Sequence, residues 1–548
     1  MSSSSFSSKS SADAEKNNNI NVTELDPEKY KLETQKSATV LETIISPNGK
    51  EVEIGTDDKL DDAMKLAAEA KEIEVTPEQD RKLVWKIDIC MFPLMCLIYA
   101  VQFMDKVATG SAAIMGLRTD LKMHGDQYSW VGSSFYFGYL FMNLGPVQFL
   151  FQKSKYMSKM LGIFIVLWGM LLCCHSSPHI NYPGFIVLRV LLGCVESVVT
   201  PCFTIITAQY WKADEQFTRI AIWFAMNGLG VIFLNSMAYG LFIHKDSYTI
   251  EAWRVLFIVI GVITLFLGAM IYYWIPDVPS NARFLTKDEK LMVVQRIRSN
   301  QQGFGNHKIK KYQIIEALRD PRTWLYFFMT VTCNIPNGGI TNFFNILLQG
   351  DFGYSTKDSL LMAMPTGAIE LVGCSLFGIL AYYCGKNKVP IWRYRLTWAI
   401  FTAVLSLVSS CMLAYAKDNK SARLAGAYLW YITPIALICV YSNISANSSG
   451  YTKKWTVSSI NQVGYAAANI AGPQCFVAKQ APGYQGAKTA MVVCYAVEIA
   501  ILTAILVINI RENKKRDKLA EERGTQEVEH LEFTDMTDFE NPNFRYTL

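Results

Sequence analysis

Residues 186–211 read "IVLRVLLGCVESVVTPCFTIITAQYW", an almost wholly apolar run that nevertheless contains Arg189 and Glu196. These two residues are seven apart, close to two helical turns, so a helix would present both side chains on one face. An apolar run of this length is typical of a membrane-spanning helix. Ionisable side chains are costly at mid-membrane and usually face a cavity or a partner there. The stretch therefore predicts a spanning helix with a functional polar face.

The composition of the whole chain agrees with a membrane protein. Of its 548 residues, 51% are hydrophobic and only 18% are charged, against about a quarter charged in soluble proteins. Residues 1–82 hold 11 basic and 18 acidic residues, and residues 511–548 hold 7 and 10. Because the whole chain is +5 and its ends are −7 and −3, the part between them is +15. This division favours basic loops at a membrane surface over nucleic-acid binding, with disordered polar ends.

Twelve apolar runs predict an all-α polytopic membrane protein. An even number of spans places both termini on one side, and the loops of that side hold 21 Lys or Arg against about nine on the other. The positive-inside bias therefore predicts that both termini are cytosolic. The predicted spans are 87–108, 128–150, 158–176, 183–208, 220–243, 253–275, 323–348, 358–383, 394–415, 425–445, 457–477 and 488–510.

The loop 277–322 divides the spans into two sets of six. Inside it, "TKDEKLMVVQRIRSN" (286–300) places Leu291, Val294 and Ile297 on one helical face with basic residues opposite, which predicts an amphipathic helix along the membrane surface. Two six-helix halves with such a linker suit a transporter that works by alternating access. The predicted domains are an acidic cytosolic tail (1–82), an N-terminal bundle (83–276), a basic cytosolic linker (277–322), a C-terminal bundle (323–510) and a cytosolic tail (511–548).

Several short motifs carry a family resemblance. They are "FMDK" (103–106), "FYFGYL" (135–140), "RVLLGCVES" (189–197), "WRVLFIVIGVIT" (253–264), "IPDVPSNARFLTKDEK" (275–290) and "SANSSGYTKKWTVSSINQVGYAAANIAGPQ" (445–474). With the two halves and the linker, they resemble the major facilitator superfamily, and within it the anion:cation symporters. This resemblance covers roughly residues 83–510 and implies the major facilitator fold of two six-helix bundles.

A narrower resemblance, nearly end to end, is to the fungal allantoate permease subfamily. It rests on "EVTPEQDRKLVWKID" (74–88), "GLRTDLKMHGDQYSW" (116–130), "LMVVQRIRSNQQGFGNH" (291–307), "NIPNGGI" (334–340) and "TDFENPNFRYTL" (537–548). The resemblance implies a plasma-membrane proton symporter for allantoate and ureidosuccinate, with some small peptides also accepted. Other small carboxylates, such as nicotinate, pantothenate or a sulfur amino acid, stay open, as does a nutrient receptor with little transport.

One superfamily signature is degraded in this chain. The stretch "GPVQFLFQKSKYMSKM" (145–160) keeps Gly145 and its basic residues but lacks the acid that the signature has after the second span. The corresponding stretch "GILAYYCGKNK" (378–388) in the second half lacks an acid too. A gating role for that acid therefore does not carry over to these positions.

Two interpretations of the charged face stay open. Arg189 and Glu196 form a static buried pair, or Arg189 reaches an interface, although about 10 Å of helix rise separates the two positions. Alternatively, Glu196 titrates in an apolar cavity and Arg189 tunes it. The family resemblance implies the second: Asp105 and Glu196 couple the proton, Lys106 contacts the substrate carboxylate, and Arg189 modulates Glu196. The place of Asp105 about 18 residues into the first span also allows a position near the outer mouth.

Further candidate substrate-binding residues are polar or aromatic side chains inside spans. "CNIPNGGITNFFN" (333–345) predicts a hinge at Pro336 with amides able to bind a ureido or peptide group. Glu370 is a lone acid in the eighth span, whereas Glu498 in the twelfth is expected to pack peripherally. The remaining candidates are Tyr136, Tyr139, Asn334, Asn337, Asn469 and Gln474.

Catalytic and metal motifs are absent from the sequence, which argues against an integral-membrane enzyme. There is no HExxH, GxSxG or Walker A motif, and the thirteen cysteines lie mostly in apolar runs without metal-site spacing. No cofactor is expected, and the partners predicted are the lipid bilayer, a small organic anion and a proton. Lysines of the N-terminal tail, such as Lys59, Lys65 and Lys71, are candidate sites for the ubiquitin machinery.

Overall fold

The structure is a computed structural model that describes residues 39–45, 51–56, 76–152, 156–298, 310–416, 418–523 and 536–548. Near the N-terminus, β1 (Thr39–Ile45) pairs antiparallel with β2 (Glu51–Thr56). Most of the tail predicted as disordered, including Lys59, Lys65 and Lys71, lies outside the described residues. The hairpin and the start of the first helix at Pro77 fall inside that predicted tail.

Eight helices make up the N-terminal half. A π-helical turn, Ala113–Leu117, and a short helical turn, Arg118–Asp120, extend the first of them. Two 3₁₀ turns, Lys245–Ser247 and Pro279–Asn281, lie before and after the last. The helices are α1 (Pro77–Ala112), α2 (Gln127–Asn143), α3 (Pro146–Gln152), α4 (Met157–Cys174), α5 (Tyr182–Glu196), α6 (Val199–Tyr210), α7 (Ala213–Ile243) and α8 (Ala252–Trp274).

Nine helices make up the described part of the linker and the C-terminal half. Two 3₁₀ turns, Trp430–Ile432 and Ala478–Gln480, lie between them. The helices are α9 (Lys287–Arg298) and α10 (Lys311–Arg319) in the linker, then α11 (Pro321–Gly350), α12 (Thr356–Lys386), α13 (Arg395–Tyr415), α14 (Lys420–Leu429), α15 (Pro434–Asn447), α16 (Tyr451–Gln474) and α17 (Gln485–Arg523).

Each predicted span coincides with one helix or with two consecutive helices. Within the described residues, nine helical segments are long and apolar enough to cross a membrane. The spans that contain α2, α11 and α16 are not among the nine. These three helices carry the serine and asparagine side chains that bond across helix interfaces, which lowers their mean hydropathy.

Close approach of α2 to α5 depends on two glycines. A Cβ on Gly138 would lie 2.9 Å from the backbone nitrogen of Cys194, and one on Gly193 would lie 3.0 Å from that of Tyr139. Real Cβ atoms do not approach so closely, so larger residues would push the helices apart. Gly193, which lies between Arg189 and Glu196, is therefore a packing residue for α2.

The two halves meet mainly through three helix pairs, α1 with α11, α2 with α16, and α7 with α12, and α2 also contacts α11. On the side opposite the linker, the Tyr128 hydroxyl donates to the Asn342 carbonyl at 2.8 Å and Thr109 donates to the Asn342 side chain at 3.3 Å. The Asn345 amide donates to Ser111 at 2.9 Å. These bonds close the halves against each other on that side.

The linker is divided between the two halves. In α9, Arg296 is buried and pairs with Asp80 of α1 at 2.7 Å and with Glu215 of α7. In α10, Glu316 pairs with Lys453 of α16 at 2.9 Å. The predicted helix is present, but Val293 and Arg296 face the protein, while Leu291 and Val294 are only half-buried. Ion pairs to α1 and α7 hold α9 on the N-terminal half, and the placement of its apolar face along the membrane surface stays a prediction. The Ile297 side chain lies outside the described residues.

The C-terminal region departs from the predicted tail. Helix α17 continues to Arg523, beyond the predicted boundary at 510, and residues 536–548 fold back onto the C-terminal half. All thirteen cysteines lie in the described residues and all are free thiols.

Replacing Gly138 by Ala tests the close packing of α2 on α5. We expect the Gly138→Ala protein to lose about 1–3 kcal/mol of stability because the new methyl group overlaps the backbone of α5. Gly240→Ala in α7 is the matched control, since a Cβ there meets no atom within 4 Å. Helix propensity predicts that this control is neutral or gains up to about 1 kcal/mol. Thermal unfolding of the purified proteins in detergent measures both, and equal melting temperatures would contradict the packing role.

Candidate functional site

Arg189 and Glu196 lie on one helix and are both buried, with exposed fractions of 2% and 0%. Glu196 is the last residue of α5, and Ser197 and Val198 form a turn with helical backbone angles before α6 begins. Pro201 in α6 has no N–H to donate to the Ser197 carbonyl, but the Ser197 N–H still donates to the Gly193 carbonyl at 3.2 Å. The helical path therefore continues from α5 into α6 past the Glu196 carboxylate.

The partner of Glu196 is Lys106 of α1 and not Arg189. The Lys106 ammonium lies 2.8 Å from Glu196 Oε1, and the Lys106 side chain is only 13% exposed. A static Arg189–Glu196 pair is therefore wrong, because two helical turns separate their side chains along the axis. The ion pair instead joins α1 to α5 in the middle of the N-terminal half.

Asp105 faces the opposite way from Lys106, into the N-terminal half. It is fully buried, and its Oδ2 accepts a hydrogen bond from Trp168 Nε1 of α4 at 2.5 Å. Its Oδ1 has no hydrogen-bond partner among the described residues. Helical turns continue from Asp105 to Asp120 with a kink at Gly116, where φ is 116°, and the position of Asp105 relative to the outer mouth stays a prediction.

Arg189 has no ion pair in the described part of the chain. Its Nε and Nη1 make no hydrogen bond there, and its guanidinium lies 6.0 Å from the centre of the Phe135 ring. The Lys106 ammonium lies 5.7 Å from the same ring. The Lys106 and Arg189 cations thus both lie within about 6 Å of the centre of the Phe135 ring, a distance at which cation–π attraction acts.

The side chains of Asp105, Lys106, Arg189 and Glu196 form a compact group that carries two acids and two bases. When all four are ionised their charges cancel, which lowers the cost of holding them in an apolar interior. The unpaired Arg189 nitrogens and the free Asp105 oxygen leave hydrogen-bonding capacity unused. Arg189 can therefore donate, and Asp105 can accept, further hydrogen bonds.

The predicted tyrosines lie where the two halves meet. Tyr136 and Tyr139 of α2 are buried, with ring centres 6.0 and 5.6 Å from that of Tyr465 in α16. Tyr139 also bonds to Gln462 at 3.4 Å. This aromatic group joins the charged group to the second half, and a change in the distance between α2 and α16 would open it.

The predicted amides lie mainly along the seam between α11 and α16. Asn337 donates to Asn469 at 3.1 Å, whereas Asn334 donates to the Thr330 carbonyl within its own helix. Gln474 donates to Ser133 of α2 at 3.0 Å and so bridges the two halves. Asn337 and Asn469 therefore form a hydrogen-bonded pair. Gln474 lies on the side where the two halves are closed against each other, and the Asn334 amide donates within its own helix.

Helix α11 continues through Pro336 to Gly350, so the proline does not end it, and a hinge there stays a prediction. The glycines that follow allow close packing. A Cβ on Gly338 would lie 2.8 Å from the Cα of Asn469, and one on Gly472 would lie 2.8 Å from the backbone nitrogen of Gly339. Helix α16 therefore packs tightly on α11 close to the position where the proline removes a backbone donor.

Glu370 of α12 is buried where α12 crosses α7 of the other half. Asn227 of α7 is its side-chain partner, and the carboxylate Oε2 has no hydrogen bond among the described residues. A Cβ on Gly367, one turn away, would lie 3.0 Å from Val231 of α7. Glu370 therefore lies on the interface between the halves, and no described contact joins it to the Lys106–Glu196 pair.

Glu498 of α17 is fully buried, so the prediction of peripheral packing was wrong. Neither of its carboxylate oxygens has a hydrogen-bond partner among the described residues. The residues that surround Glu498 in the sequence are apolar, as they are in a lipid-facing helix. The sequence pattern therefore does not show that Glu498 is buried.

Sequence reasoning missed several residues of the site. Trp168, Phe135 and Tyr465 are aromatic residues in apolar spans, where packing is their usual role, so only contact with a charge distinguishes them. Asp277 after α8 accepts from the Ser158 backbone N–H at 2.7 Å. That carboxylate caps α4 beside the degraded signature, so an acid from another loop occupies this region.

The chain matches known proteins over most of its length. A family model described as Major Facilitator Superfamily matches residues 95–473. An allantoate permease of Saccharomyces cerevisiae is 69% identical over 544 residues, which are 98% of this chain and 100% of that protein. An uncharacterized transporter of Schizosaccharomyces pombe is 45% identical over 89% of this chain and 94% of that protein.

The fold also matches solved structures. A bacterial homolog of the human lysosomal transporter Spinster, in an inward-facing and occupied conformation, gives a TM-score of 0.53 at 14% identity. The match covers 79% of this chain and 97% of that chain. At this identity the likeness concerns the fold, and it confirms the predicted arrangement of two six-helix bundles.

Replacing Trp168 by Phe tests its bond to Asp105. We expect the Trp168→Phe protein to be less stable than the Trp223→Phe control by about 1–3 kcal/mol, because a buried carboxyl oxygen loses its donor. Trp223 is also buried, but its Nε1 has no hydrogen-bond partner among the described residues. Both replacements remove the same ring volume, so thermal unfolding in detergent isolates the hydrogen bond. Equal losses in the two variants would refute the bond.

Proposed function

The chain belongs to the major facilitator superfamily and is a transporter, and from that premise we propose that it is a proton-coupled symporter of small organic anions. Allantoate is the proposed main substrate, and ureidosuccinate and small dipeptides are further ones. The observation that carries the proposal is the buried Lys106–Glu196 ion pair, with its ammonium and carboxylate 2.8 Å apart. The 69% identity to an allantoate permease supports the choice of substrate.

Charge balance explains how the ion pair would couple a proton to an anion. In the empty carrier, Lys106 and Glu196 neutralise each other. A substrate carboxylate that takes Lys106 leaves Glu196 as an uncompensated buried anion, and a proton on Glu196 removes that charge. Carriers with the anion alone or the proton alone carry a net charge, which is costly to occlude in an apolar interior. Only the empty and the fully loaded forms then change conformation readily.

Asp105 and Arg189 would act as the second pair of charges. Arg189 interacts electrostatically with both Asp105 and Glu196. Its unused donors, Nε and Nη1, face no acceptor among the described residues, so they are available to a substrate carboxylate or to a reoriented acid. Asp105, held by Trp168, is the second proposed proton site.

Allantoate, ureidosuccinate and dipeptides share a carboxylate and an amide or ureido group. The carboxylate suits Lys106, which supplies a point charge without the fork of an arginine. Amide and ureido groups both donate and accept hydrogen bonds, and the side chains able to meet them are Tyr136 and Tyr139 with Asn337 and Asn469. Asn334, Glu370 and Gln474 stay weaker candidates, because each already has a partner away from the charged group.

The proposed location is the plasma membrane, with both termini and the linker in the cytosol. The 21 basic residues in the loops of the linker side support this orientation. The closed contacts of Asn342 and Asn345 would then lie at the outer face. Ubiquitin machinery acting on the tails stays a proposal of the sequence.

A symporter of another small carboxylate and a receptor with little transport are the competing functions. Counterflow of labelled allantoate in vesicles distinguishes carrier from receptor, since only a carrier exchanges internal for external substrate. Competition by nicotinate, pantothenate, sulfur amino acids, ureidosuccinate and dipeptides then ranks the substrates. Absence of counterflow with every labelled candidate would refute the transport of these anions.

Glu196→Gln is expected to abolish accumulation against a gradient and to keep exchange of labelled for unlabelled substrate. Glutamine fills the same volume and bonds to Lys106 but cannot carry the proton. Uptake and counterflow are measured in the same vesicles with an imposed proton gradient, and the accumulation ratio should fall to about one when coupling is lost. The exposed residue Glu251 provides the control Glu251→Gln. Undiminished accumulation would remove Glu196 from the coupling role.

Lys106→Ala is expected to raise the apparent KM at least about tenfold, since a hydrogen bond to a charged group is worth roughly 1.5–3 kcal/mol. Lys106→Arg should retain more uptake because it keeps the cation. Lys311→Ala, at an exposed position in α10, is the control for a general effect of charge. Initial rates over a range of substrate concentrations provide the test, and a normal KM in Lys106→Ala would exclude contact with the substrate.

A further inference from the structure

Residues 536–548, here called the C-terminal segment, lie in a recess at the linker-side end of the C-terminal bundle. Met536, Thr537, Asp538 and Tyr546 are all buried, although the segment is polar and ends the chain. Such burial requires that the surface beneath supplies partners for its polar groups. The contacts of the segment show that it does.

Asp538 is the centre of the charged contacts. Its carboxylate lies 2.6 Å from the ammonium of Lys453 in α16 and 3.2 Å from the guanidinium of Arg322 in α11. The Tyr546 hydroxyl donates to the same carboxylate at 2.7 Å. Lys453 and Arg322 are themselves buried, so Asp538 neutralises cations that water does not reach.

The aromatic residues of the segment cover the same two cations. The Arg322 guanidinium lies 3.8 Å from the centre of the Tyr546 ring, and the Lys453 ammonium lies 3.7 Å from that of Phe539. Desolvated cation–π contacts at these distances are stabilising. The segment therefore binds through an acid and two rings arranged around one pair of bases.

Fixed amide side chains recognise the backbone of the segment. Asn447 of α15 accepts from the Thr547 N–H at 2.7 Å and donates to the Thr547 carbonyl at 2.9 Å. Asn513 of α17 makes the same two bonds with Tyr546, both at 2.8 Å. Two bonds to one residue fix both the register and the direction of the peptide.

Further contacts extend the recess to the last residue. Arg516 of α17 donates to the carbonyls of Asp538 and Phe544 at 2.7 and 3.2 Å. The backbone N–H of Arg395, at the start of α13, donates to the Leu548 carbonyl at 2.9 Å. The segment thus touches the linker-side ends of α11, α13, α15, α16 and α17.

We propose that the C-terminal segment is an intramolecular peptide ligand that clips the second half of the linker to the C-terminal bundle. Its binding surface is the recess formed by Arg322, Asn447, Lys453, Asn513 and Arg516. The partner that this recess fits is an acidic and aromatic peptide, and residues 536–548 supply that peptide. The clip does not depend on the identity of the substrate or on proton coupling.

The connection between the clip and the linker runs through Lys453. This residue bonds Asp538 of the segment and Glu316 of α10 at the same time, at 2.6 and 2.9 Å. Gln313 of α10 accepts from the backbone N–H groups of Thr452 and Lys453 at 3.0 and 3.2 Å. By holding Lys453 in place, the C-terminal segment therefore also holds the ammonium and backbone N–H groups that bind α10.

Asp320 adds a further acid to this cluster, with its carboxylate 3.6 Å from the Lys453 ammonium. Burial raises the pKa of Asp320, but the neighbouring Arg322 guanidinium and the Lys453 ammonium lower it more, so that it lies below its usual value. Asp320 and Asp538 then face two cations, with Glu316 beside Lys453. Removal of Asp538 withdraws an acid that touches both cations, which loosens the ends of α11 and α16 together.

Hydrogen exchange on the full-length purified protein in detergent tests the proposal without any transport measurement. We expect the amides of Tyr546 and Thr547, and those of α10, to exchange at least about tenfold more slowly in the native chain than in Asp538→Ala. Arg545→Ala is the matched control, because Arg545 pairs with Asp517 at an exposed position of the same segment. Native exchange of Tyr546 and Thr547 at the rate of an unstructured peptide would overturn the proposal.

Addition of a synthetic peptide of residues 536–548 to the Asp538→Ala protein separates clipping from general destabilisation. We expect the peptide to restore slow exchange in α10, and the same peptide with alanine at position 538 to leave it fast. Protection of α10 that is unchanged in Asp538→Ala would refute the link to the linker. The exchange experiment measures no transport, so a negative result would not contradict the proposed transport function. A negative uptake assay would likewise not contradict the proposed role of the C-terminal segment.

Discussion

The ion pair between Lys106 and Glu196 is the constraint on which the rest of the structure depends. The ammonium and the carboxylate lie 2.8 Å apart inside an apolar bundle, where either charge without the other would be costly to bury. Helix α5 carries Glu196 at its end, and Gly138 and Gly193 allow the backbones of α2 and α5 to touch. A backbone contact within the N-terminal half thus helps to position the charges of that half.

The same principle organises the linker side of the molecule. Buried cations on both halves are matched by acids from other elements: Arg296 by Asp80 and Glu215, and Lys453 by Glu316 and Asp538. Each half of the linker therefore belongs to one bundle, and the C-terminal segment belongs to the second. Rigid bundles that carry their own linker helices can move relative to each other, which is what alternating access requires.

Much of this architecture could be predicted from the sequence, because span length and loop charge are local properties. Each predicted span coincides with helix, although the helices α2, α11 and α16 are less apolar than the other spans. Helix rise argued against a direct Arg189–Glu196 contact, and the structure places Lys106 there instead. The sequence did not show that α11 continues through Pro336 with α16 packed closely against it, because that packing joins residues far apart in the chain. The peripheral place for Glu498 failed because lipid-facing and buried apolar helices share one pattern.

The sequence by itself determined the fold class, the family and the list of ionisable residues inside the membrane, since each follows from residue type and spacing along one chain. Only the tertiary structure decided the partners: Trp168 for Asp105, Lys106 for Glu196, Tyr465 for Tyr136 and Tyr139, and Asp538 for Lys453. These pairs join residues far apart in the chain, and their contact depends on how helices rotate and cross. No local pattern contains that rotation, because packing between distant helices sets it.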